Sequence, residues 1–389
     1  MIEFLPYGRQ SISEADIEAV VRVLRSEFLT QGPIVPAFEE AIFQKVGAQH
    51  AVAVNSATSA LHIACLALGL GTGDWLWTVP NTFVASANCA RYCGAQVDFV
   101  DIDPSTWNLS VSALESKLTH YRKEGKTLPK VVVSVHLLGQ PTEQERIWEL
   151  AQEFGFRVLE DASHAIGAQR NGELVGSCHW SDIAVFSFHP VKIITSGEGG
   201  MALTKDSELS WKMSTLRTHG ITRDKDRLEQ ESRGPWYYEQ QTLGFNYRMT
   251  DIQAALGLSQ LDRLGEFVDR RNHLAQRYDE LLAGLSIQRP TILKGTISSF
   301  HLYVIRLSTR ERPEEHRRVF EELRKAGIGV NLHYMPVHLQ PDYRRLGFKE
   351  DMFPESEAYG REAISLPLFP SMTEEQQDRV VNKLKQSLC

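Results

Sequence analysis

The 389-residue sequence lacks the features of exported, membrane-spanning and nucleic-acid-binding proteins. No apolar run approaches the roughly 18 residues that a membrane-spanning helix needs. The start, MIEFLPYG, has no basic segment followed by a long apolar core, as a signal peptide would. The 42 basic and 49 acidic residues give a net charge of −7, and no block of Lys and Arg would attract nucleic acid or an anionic membrane. We therefore expect a cytoplasmic protein that binds neither.

Cysteine is also scarce, and the five cysteines form no CxxC pair. An odd number without paired spacing is typical of reduced thiols rather than of a disulfide framework. The two histidines of HYMPVH are five residues apart and have no acid at a recognised metal-site spacing, and the sequence has no HExxH motif. The sequence thus predicts neither disulfides nor a metal site. The cysteines are Cys65, Cys89, Cys93, Cys178 and Cys389.

Short apolar strands alternate with amphipathic helices over the first part of the chain. The stretch AVAVNSATSALHIACLALG changes from a buried-strand pattern to a helix that should stop at Gly69. Such alternation predicts an α/β fold with a mainly parallel sheet that helices cover on both faces. Further strands are predicted at AQVDFVDID, KVVVSVHLLG, RVLEDASHA, SDIAVFSF and GMALT.

Helical patterns dominate after residue 250. A long helical stretch begins at RMTDIQAAL, and a smaller α/β unit follows with strand HLYVIRL, helix RPEEHRRVFEELRKAGI and a last helix from Thr373. We predict a large domain over residues 1–250, and connector helices with a small C-terminal domain over 251–389. Residues 221–243 are charged and read as a solvated loop. A capping box of Ser11 with Glu14 is expected to open the first helix.

Polar residues follow several predicted strands, at the edge where parallel sheets bind ligands. NSATSAL begins a helix directly after a strand, so its backbone N–H groups and hydroxyls can hold a phosphate, although helix capping explains the same pattern. Asp161 ends a second strand, as either a ligand group or a cap. Ser187 and Lys192 follow a third. A phosphate cradle, a carboxylate and a lysine together are what pyridoxal phosphate requires, and Phe83 can cover its ring or simply fill the core.

Seven segments in order resemble the DegT/DnrJ/EryC1/StrS family of sugar aminotransferases, which are fold type I pyridoxal-phosphate enzymes. They are FLTQGP, NSATSAL, TFVASAN, EDASHAIGA, FSFHPVKIITSGEGG, GFNYRMTDIQAALGLSQL and AISLPLFPSMTEEQ. The resemblance implies a large domain with a mainly parallel mixed sheet, a smaller C-terminal α/β domain, and a homodimer with shared active sites. It also implies that Lys192 forms the Schiff base with the cofactor and moves protons in catalysis. The other implied cofactor residues are Asp161 at the ring nitrogen, Phe83 on the ring, Ala57, Thr58 and Ser187 at the phosphate, Asn246 reaching the neighbouring subunit's phosphate, and His164 elsewhere around the cofactor.

Within the family, PYGRQSI, SEFLTQGP and NLHYMPVH are most similar to members of the pseudaminic acid pathway. Those members transfer an amino group from glutamate to the 4-keto carbon of UDP-2-acetamido-2,6-dideoxy-β-L-arabino-hexos-4-ulose. His333 is equally explained as a structural histidine. The substrate residues that the similarity implies are Tyr7, Glu27, Phe28, Leu29, Thr30, Asn331, His333 and Tyr334.

Other functions stay open at this stage. Another nucleotide-linked 3-keto or 4-keto sugar, carried by dTDP or UDP, fits the same motifs. Relatives that remove a hydroxyl replace the lysine with histidine, so Lys192 argues against dehydration. A non-catalytic cofactor-binding regulator has no DNA-binding segment or basic patch to support it. A Rossmann dehydrogenase fits poorly, because GLGTGD follows a helix instead of joining a strand to one.

Overall fold

The structure, a computed structural model, describes residues 3–307 and 313–388. The strands in these ranges are β1 (His50–Val54), β2 (Trp75–Thr78), β3 (Gln96–Phe99), β4 (Val131–Val135), β5 (Arg157–Asp161), β6 (Gln169–Arg170), β7 (Glu173–Leu174), β8 (Ile183–Ser187), β9 (Gly200–Thr204), β10 (Ile221–Thr222), β11 (Glu239–Gln240), β12 (Ile287–Gln288), β13 (Thr296–Ile297), β14 (Tyr303–Leu307) and β15 (Ala363–Leu366).

Helices connect most of these strands. They are α1 (Glu14–Leu24), α2 (Ile34–Val46), α3 (Ala57–Ala67), α4 (Ala85–Tyr92), α5 (Val111–Lys123), α6 (Gln144–Phe154), α7 (Ser207–Arg217), α8 (Asp251–Leu261), α9 (Leu264–Leu281), α10 (Pro313–Lys325), α11 (Pro341–Arg344), α12 (Pro354–Glu362) and α13 (Glu374–Leu388), with short 3-10 turns at Leu137–Gly139, Lys225–Arg227 and Val337–Leu339.

A seven-stranded sheet forms the centre of the larger part, in the order β1-β9-β8-β5-β4-β2-β3. Strands β8, β5, β4, β2 and β3 pair in parallel, and β9 pairs antiparallel with both β8 and β1. Every residue of β4, β8 and β9 is buried, because helices cover both faces of the sheet. The predicted mainly parallel α/β fold is confirmed, as are the strands predicted from the sequence.

The antiparallel return from β8 to β9 holds residues 188–199 as a loop closed at both ends. Ser187 pairs with Gly200 in the sheet, and the Phe188 amide donates to the Gly199 carbonyl at 2.9 Å. Gly200 also lets β9 pack directly against the start of α3, since a Cβ there would lie 2.5 Å from the Ala57 nitrogen. The loop therefore carries Lys192 beside the first turn of α3.

The first helix begins two residues later than its predicted capping box. Ser13, not Ser11, is the N-cap of α1, and it exchanges hydrogen bonds with Asp16. The reason is tertiary, because the buried Asp16 carboxylate also accepts from Gln260 at 2.7 Å and from Arg263 at 2.6 Å. Because these contacts hold Asp16 in place, the residue three positions before it, Ser13, becomes the N-cap. The prediction of Ser11 with Glu14 was wrong.

The C-terminal part has its own apolar core around the antiparallel sheet β12-β14-β15, packed on α9, α10 and α13. The predicted strand HLYVIRL and the last two long helices are confirmed there. Helix α8 packs against α1 and α2. The division of the chain into domains at residue 250 stays a prediction.

Three of the predictions concern smaller features. Cys65, Cys89, Cys93 and Cys178 are free thiols, and Cys389 lies outside the described residues. Segment 221–243 is mostly exposed but contains the short antiparallel pair β10–β11. Helix α3 ends before Gly69, which has a φ of 76°, so GLGTGD is a helix stop as predicted.

Over residues 3–307 and 313–388, no helix is both long and apolar enough to cross a membrane.

Candidate active site

A cavity of about 890 Å³ opens where several strands of the seven-stranded sheet end. Asp161 ends β5, Ser187 ends β8, and α3 starts beside β1, so the parallel strands bring distant residues to one edge. The segment around His333 closes the opposite wall. The residues predicted for the site that line this cavity are Tyr7, Ala57, Thr58, Phe83, Asp161, His164, Ser187, Lys192, Asn331, His333 and Tyr334.

Five predicted site residues do not line the cavity of the single chain. They are exposed side chains on two neighbouring segments, which meet through an isolated bridge between Thr30 and Thr250. Their predicted contacts with cofactor or substrate stay predictions. These residues are Glu27, Phe28, Leu29, Thr30 and Asn246.

The start of α3 forms one end of the cavity. Ser56 is the N-cap, and its side chain accepts from the Ser59 amide at 3.2 Å. The first N–H groups of a helix have no acceptor within the helix, and they carry the positive end of its dipole. Ala57 and Thr58 present this helix start to the cavity. The arrangement is suited to a phosphate group.

The carboxylate of Asp161 lies at the cavity wall, where two hydroxyls fix its orientation. Ser86 donates to one oxygen at 2.6 Å, and Ser163 donates to the other, also at 2.6 Å. Asp161 itself is buried. Such a held carboxylate can keep a proton on a heterocyclic nitrogen, because its negative charge favours the protonated ring.

Lys192 lies half-buried in the wall of the same cavity. Burial lowers the pKa of its amine from 10.5 to about 8, and the negative charge of Asp161 opposes this shift. A lysine with this pKa exchanges protons near neutral pH, unlike a solvated surface lysine. Lys192 is thus a candidate nucleophile and acid–base group.

The lowered pKa of Lys192 predicts a pH-dependent stability for the apoprotein. Below pH 8 both the folded and the unfolded chain hold the proton; between about 8 and 10.5 only the unfolded chain does. The free energy of unfolding therefore rises with pH across this window. Relative to Lys192→Met, wild type should gain about 2 kcal/mol between about pH 7 and 9.5. Urea unfolding of both apoproteins measures this difference, and a pH-independent difference would contradict the assigned pKa.

Three histidines and a tyrosine enclose the other side of the cavity. The Tyr334 hydroxyl lies 3.2 Å from Nε2 of His164, and His333 Nδ1 lies 2.8 Å from the Ser365 hydroxyl. Burial, followed by the charge of Lys192, lowers the pKa of His333 to about 3 and that of His164 well below its usual value. These rings are therefore neutral beside Lys192.

His301 completes this group, and the sequence analysis did not identify it. It lies just before β14, far along the chain from His164, and no local motif marks it. Of the two histidines of HYMPVH, His333 belongs to this group, whereas Nε2 of His338 lies 3.1 Å from the Glu357 carboxylate.

The residues around the cavity fit pyridoxal phosphate. The helix start suits the phosphate, Asp161 suits the ring nitrogen, and Lys192 suits the aldehyde. Phe83, 56% exposed in the chain alone, lies at the cavity with its ring 5.9 Å from that of Tyr334. In addition, Nδ1 of His164 is buried and has no hydrogen-bond partner among the described residues. A buried polar atom of this kind is satisfied when a polar ligand occupies the site.

Comparisons with known proteins find a family model and curated relatives that match nearly the whole chain. The family model described as the DegT/DnrJ/EryC1/StrS aminotransferase family matches residues 10–385. The spore coat polysaccharide biosynthesis protein SpsC of Bacillus subtilis is 37% identical over 385 residues, 98% of this chain and 96% of that protein.

Two solved structures are similar over nearly their whole length. Helicobacter pylori PseC, an aminotransferase involved in the biosynthesis of pseudoaminic acid, has a TM-score of 0.90 and 31% identity, with 99% of each chain covered. Spr1654 of Streptococcus pneumoniae, solved in its PMP form, has a TM-score of 0.89 and 31% identity over 99% of this chain and 98% of that one. Its PLP form has the same TM-score.

Proposed function

Because this chain belongs to the DegT/DnrJ/EryC1/StrS aminotransferase family, whose members are pyridoxal-phosphate-dependent sugar aminotransferases, we propose that it aminates a UDP-linked 4-keto sugar. The donor is L-glutamate, the acceptor carbon is C4 of a UDP-4-keto-6-deoxy-N-acetylhexosamine, and the product is UDP-4-amino-4,6-dideoxy-N-acetyl-β-L-altrosamine. The observation that carries amino transfer is Lys192, half-buried beside Asp161 at the cavity with a pKa of about 8. The similarity to PseC supports the choice of sugar.

Bound pyridoxal phosphate supplies an aldehyde that accepts the amino group and a protonated ring that draws electrons from the reacting carbon. The chain supplies binding and orientation. The first turn of α3, with Ala57 and Thr58, and the nearby Ser187 would hold the phosphate. Asp161 would keep the ring nitrogen protonated, and Phe83 would cover one face of the ring.

Lys192 Nζ is the group that moves protons. With a pKa of about 8, part of the population is a free amine at neutral pH and the rest is an ammonium. The amine can take a proton from the glutamate carbon that bears the amino group, and the ammonium can return one to C4 of the sugar in the second half of the reaction. One lysine at this pKa therefore serves both directions of transfer.

The wall formed by Tyr7, Asn331, His333 and Tyr334 is where we place the sugar. The cavity of about 890 Å³ lies within the usual size of ligand pockets. Asn331 Nδ2 lies 3.3 Å from His333 Nε2, so both side chains are held in place. We further infer a cytoplasmic homodimer in which the exposed Asn246 reaches the neighbouring subunit's phosphate site, and in which residues 27–30 approach a nucleotide sugar.

A second acceptor fits the same geometry. SpsC is more similar in sequence to this chain than PseC is, and its name refers to spore coat polysaccharide. The alternative is therefore amination of a different nucleotide-linked 3-keto or 4-keto sugar, carried by dTDP or UDP. Lys192 and Asp161 would act in the same way on it.

Visible absorbance of the holoenzyme tests cofactor, donor and acceptor together. We expect the absorbance of the lysine-bound cofactor to disappear with glutamate and to return with the UDP-4-keto-6-deoxy sugar, because only a matched acceptor completes the second half-reaction. Recovery with a dTDP-linked or 3-keto sugar, but not with this one, would refute the proposed acceptor. A protein that develops no visible absorbance with added pyridoxal phosphate would contradict the cofactor site itself.

A further inference from the structure

His301 is a cavity residue without an evident role in binding or in proton transfer. It is 4% exposed, and its Nδ1 has no hydrogen-bond partner among the described residues. Its ring lies against that of His164, with 4.4 Å between the centroids and 48° between the planes. Nothing in the reaction described above requires this second histidine.

The backbone that carries His301 is held firmly against His164. The Ser299 hydroxyl donates to the His164 carbonyl at 2.8 Å, and Arg271 Nη1 donates to the His301 carbonyl at 3.1 Å. Gly139 packs into the same junction, where a Cβ would lie 2.9 Å from the His164 carbonyl and 3.0 Å from the His301 nitrogen. Segment 298–301 is therefore a fixed support, and the position of the His301 ring follows from it.

His164 packs here against two aromatic rings, those of His301 and Tyr334. Its Nε2 meets the Tyr334 hydroxyl, and its Nδ1 has no partner among the described side chains. Besides His301 and Tyr334, the titratable groups that act on it are Lys192 and His333, and Asp161 lines the same cavity. The pKa of His164 is lowered mainly by burial and then by the charges of Lys192 and His333. His164 lines the cavity, and the His301 ring covers part of the His164 ring; without the His301 ring, water could also fill the space against that part.

We propose that His301 is a positioning residue for the cofactor site, whose ring packs on His164, excludes water from the part of the His164 ring that it covers, and holds Nε2 of His164 against Tyr334. His301 acts through the shape of its ring and by excluding water, so its role does not require the ring nitrogens. A phenyl ring should therefore replace the imidazole, whereas a small side chain should not.

The test is a histidine NMR titration of the full-length apoprotein, with the His164 resonance assigned from His164→Gln. In wild type and in His301→Phe we expect no titration of His164 between about pH 5.5 and 8. In His301→Ala, hydration should raise the pKa of His164 toward its ordinary value of 6.5, so that its titration enters this range, while the charges of Lys192 and His333 keep it below that value. His301→Asn also removes the ring, and it is used instead of the Ala variant if that variant is unstable. His120→Ala, which alters an exposed histidine outside the cavity, is the matched control.

A second readout is the affinity for pyridoxal phosphate itself, measured by visible absorbance. Opening the ring space should weaken affinity by about 2- to 10-fold, and His301→Phe should stay within about 2-fold of wild type. The positioning role would be overturned if the His164 titration were unchanged in His301→Ala or His301→Asn. It would also be overturned if His301→Phe behaved like His301→Ala. The link from His164 to the cofactor rests on the function proposed above. The apoprotein titration needs neither cofactor nor sugar, so the positioning role and the proposed function can fail separately.

Discussion

Replacing Lys192 with Ala is expected to reduce amino-sugar formation by about 10⁴-fold or more, while cofactor binding remains measurable. Under the proposed function, the variant loses both the amine that attaches the cofactor and the group that moves the proton. The start of α3 and Asp161 are untouched, so the proposed partners of the phosphate and of the ring nitrogen remain in place. The measurement is the initial rate of product formation at saturating glutamate, together with the dissociation constant for pyridoxal phosphate.

Two further variants separate proton transfer from charge. Lys192→Arg keeps a cation of similar length but cannot release its proton near neutral pH, so it should lose about as much activity as the Ala variant. Lys205→Ala removes an exposed lysine just after β9 and should leave the rate unchanged. A Lys192→Ala enzyme within about 10-fold of the wild-type rate would rule out the assigned role.

Asp161→Asn should lower kcat by about 10²- to 10³-fold. Asn keeps the shape of the side chain and can still meet the Ser86 and Ser163 hydroxyls, but it removes the negative charge. Without that charge, a protonated ring nitrogen in this buried place costs about 3–5 kcal/mol. We therefore expect intact folding, a changed visible spectrum and slow turnover, measured by stopped-flow absorbance of the glutamate half-reaction.

Asp182→Asn is the matched control for this prediction. Asp182 lies at the opposite end of the same strands, where it accepts from the Val158 amide at 2.8 Å and from Arg157 at 2.6 Å. Its loss should lower stability slightly and leave kcat unchanged. Equal losses of kcat in the two variants would mean that the carboxylate acts through the sheet and not at the cofactor.

Much of the cavity could be predicted from the sequence, because its residues follow strands. Asp161 and Ser187 end buried strands, and Ala57 and Thr58 begin the helix after another, so a parallel sheet necessarily brings them to one edge. The resemblance to a family added Tyr7 and the segment around His333, which come from other parts of the chain and carry no local signal of a site.

Tertiary contacts explain what the sequence did not predict. Both Ser11 and Ser13 have an acid three residues later, and the cap falls on Ser13 only because the Asp16 carboxylate is already bound by residues of α8 and the turn after it. His301 was missed for a similar reason. Its place beside His164 depends on Arg271 and Gly139, and these contacts join segments that are distant in sequence.

The closed loop between β8 and β9 also has a dynamic consequence. Its two ends are paired where β8 ends and β9 begins, and Gly200 at one end touches the first turn of α3. Because this pairing anchors the loop that carries Lys192, an opening that breaks the pairing would release the loop and loosen the helix start together. In hydrogen exchange, the amides of residues 187–200 and of the α3 start should therefore open as one unit. Bound cofactor would then slow exchange in both segments equally.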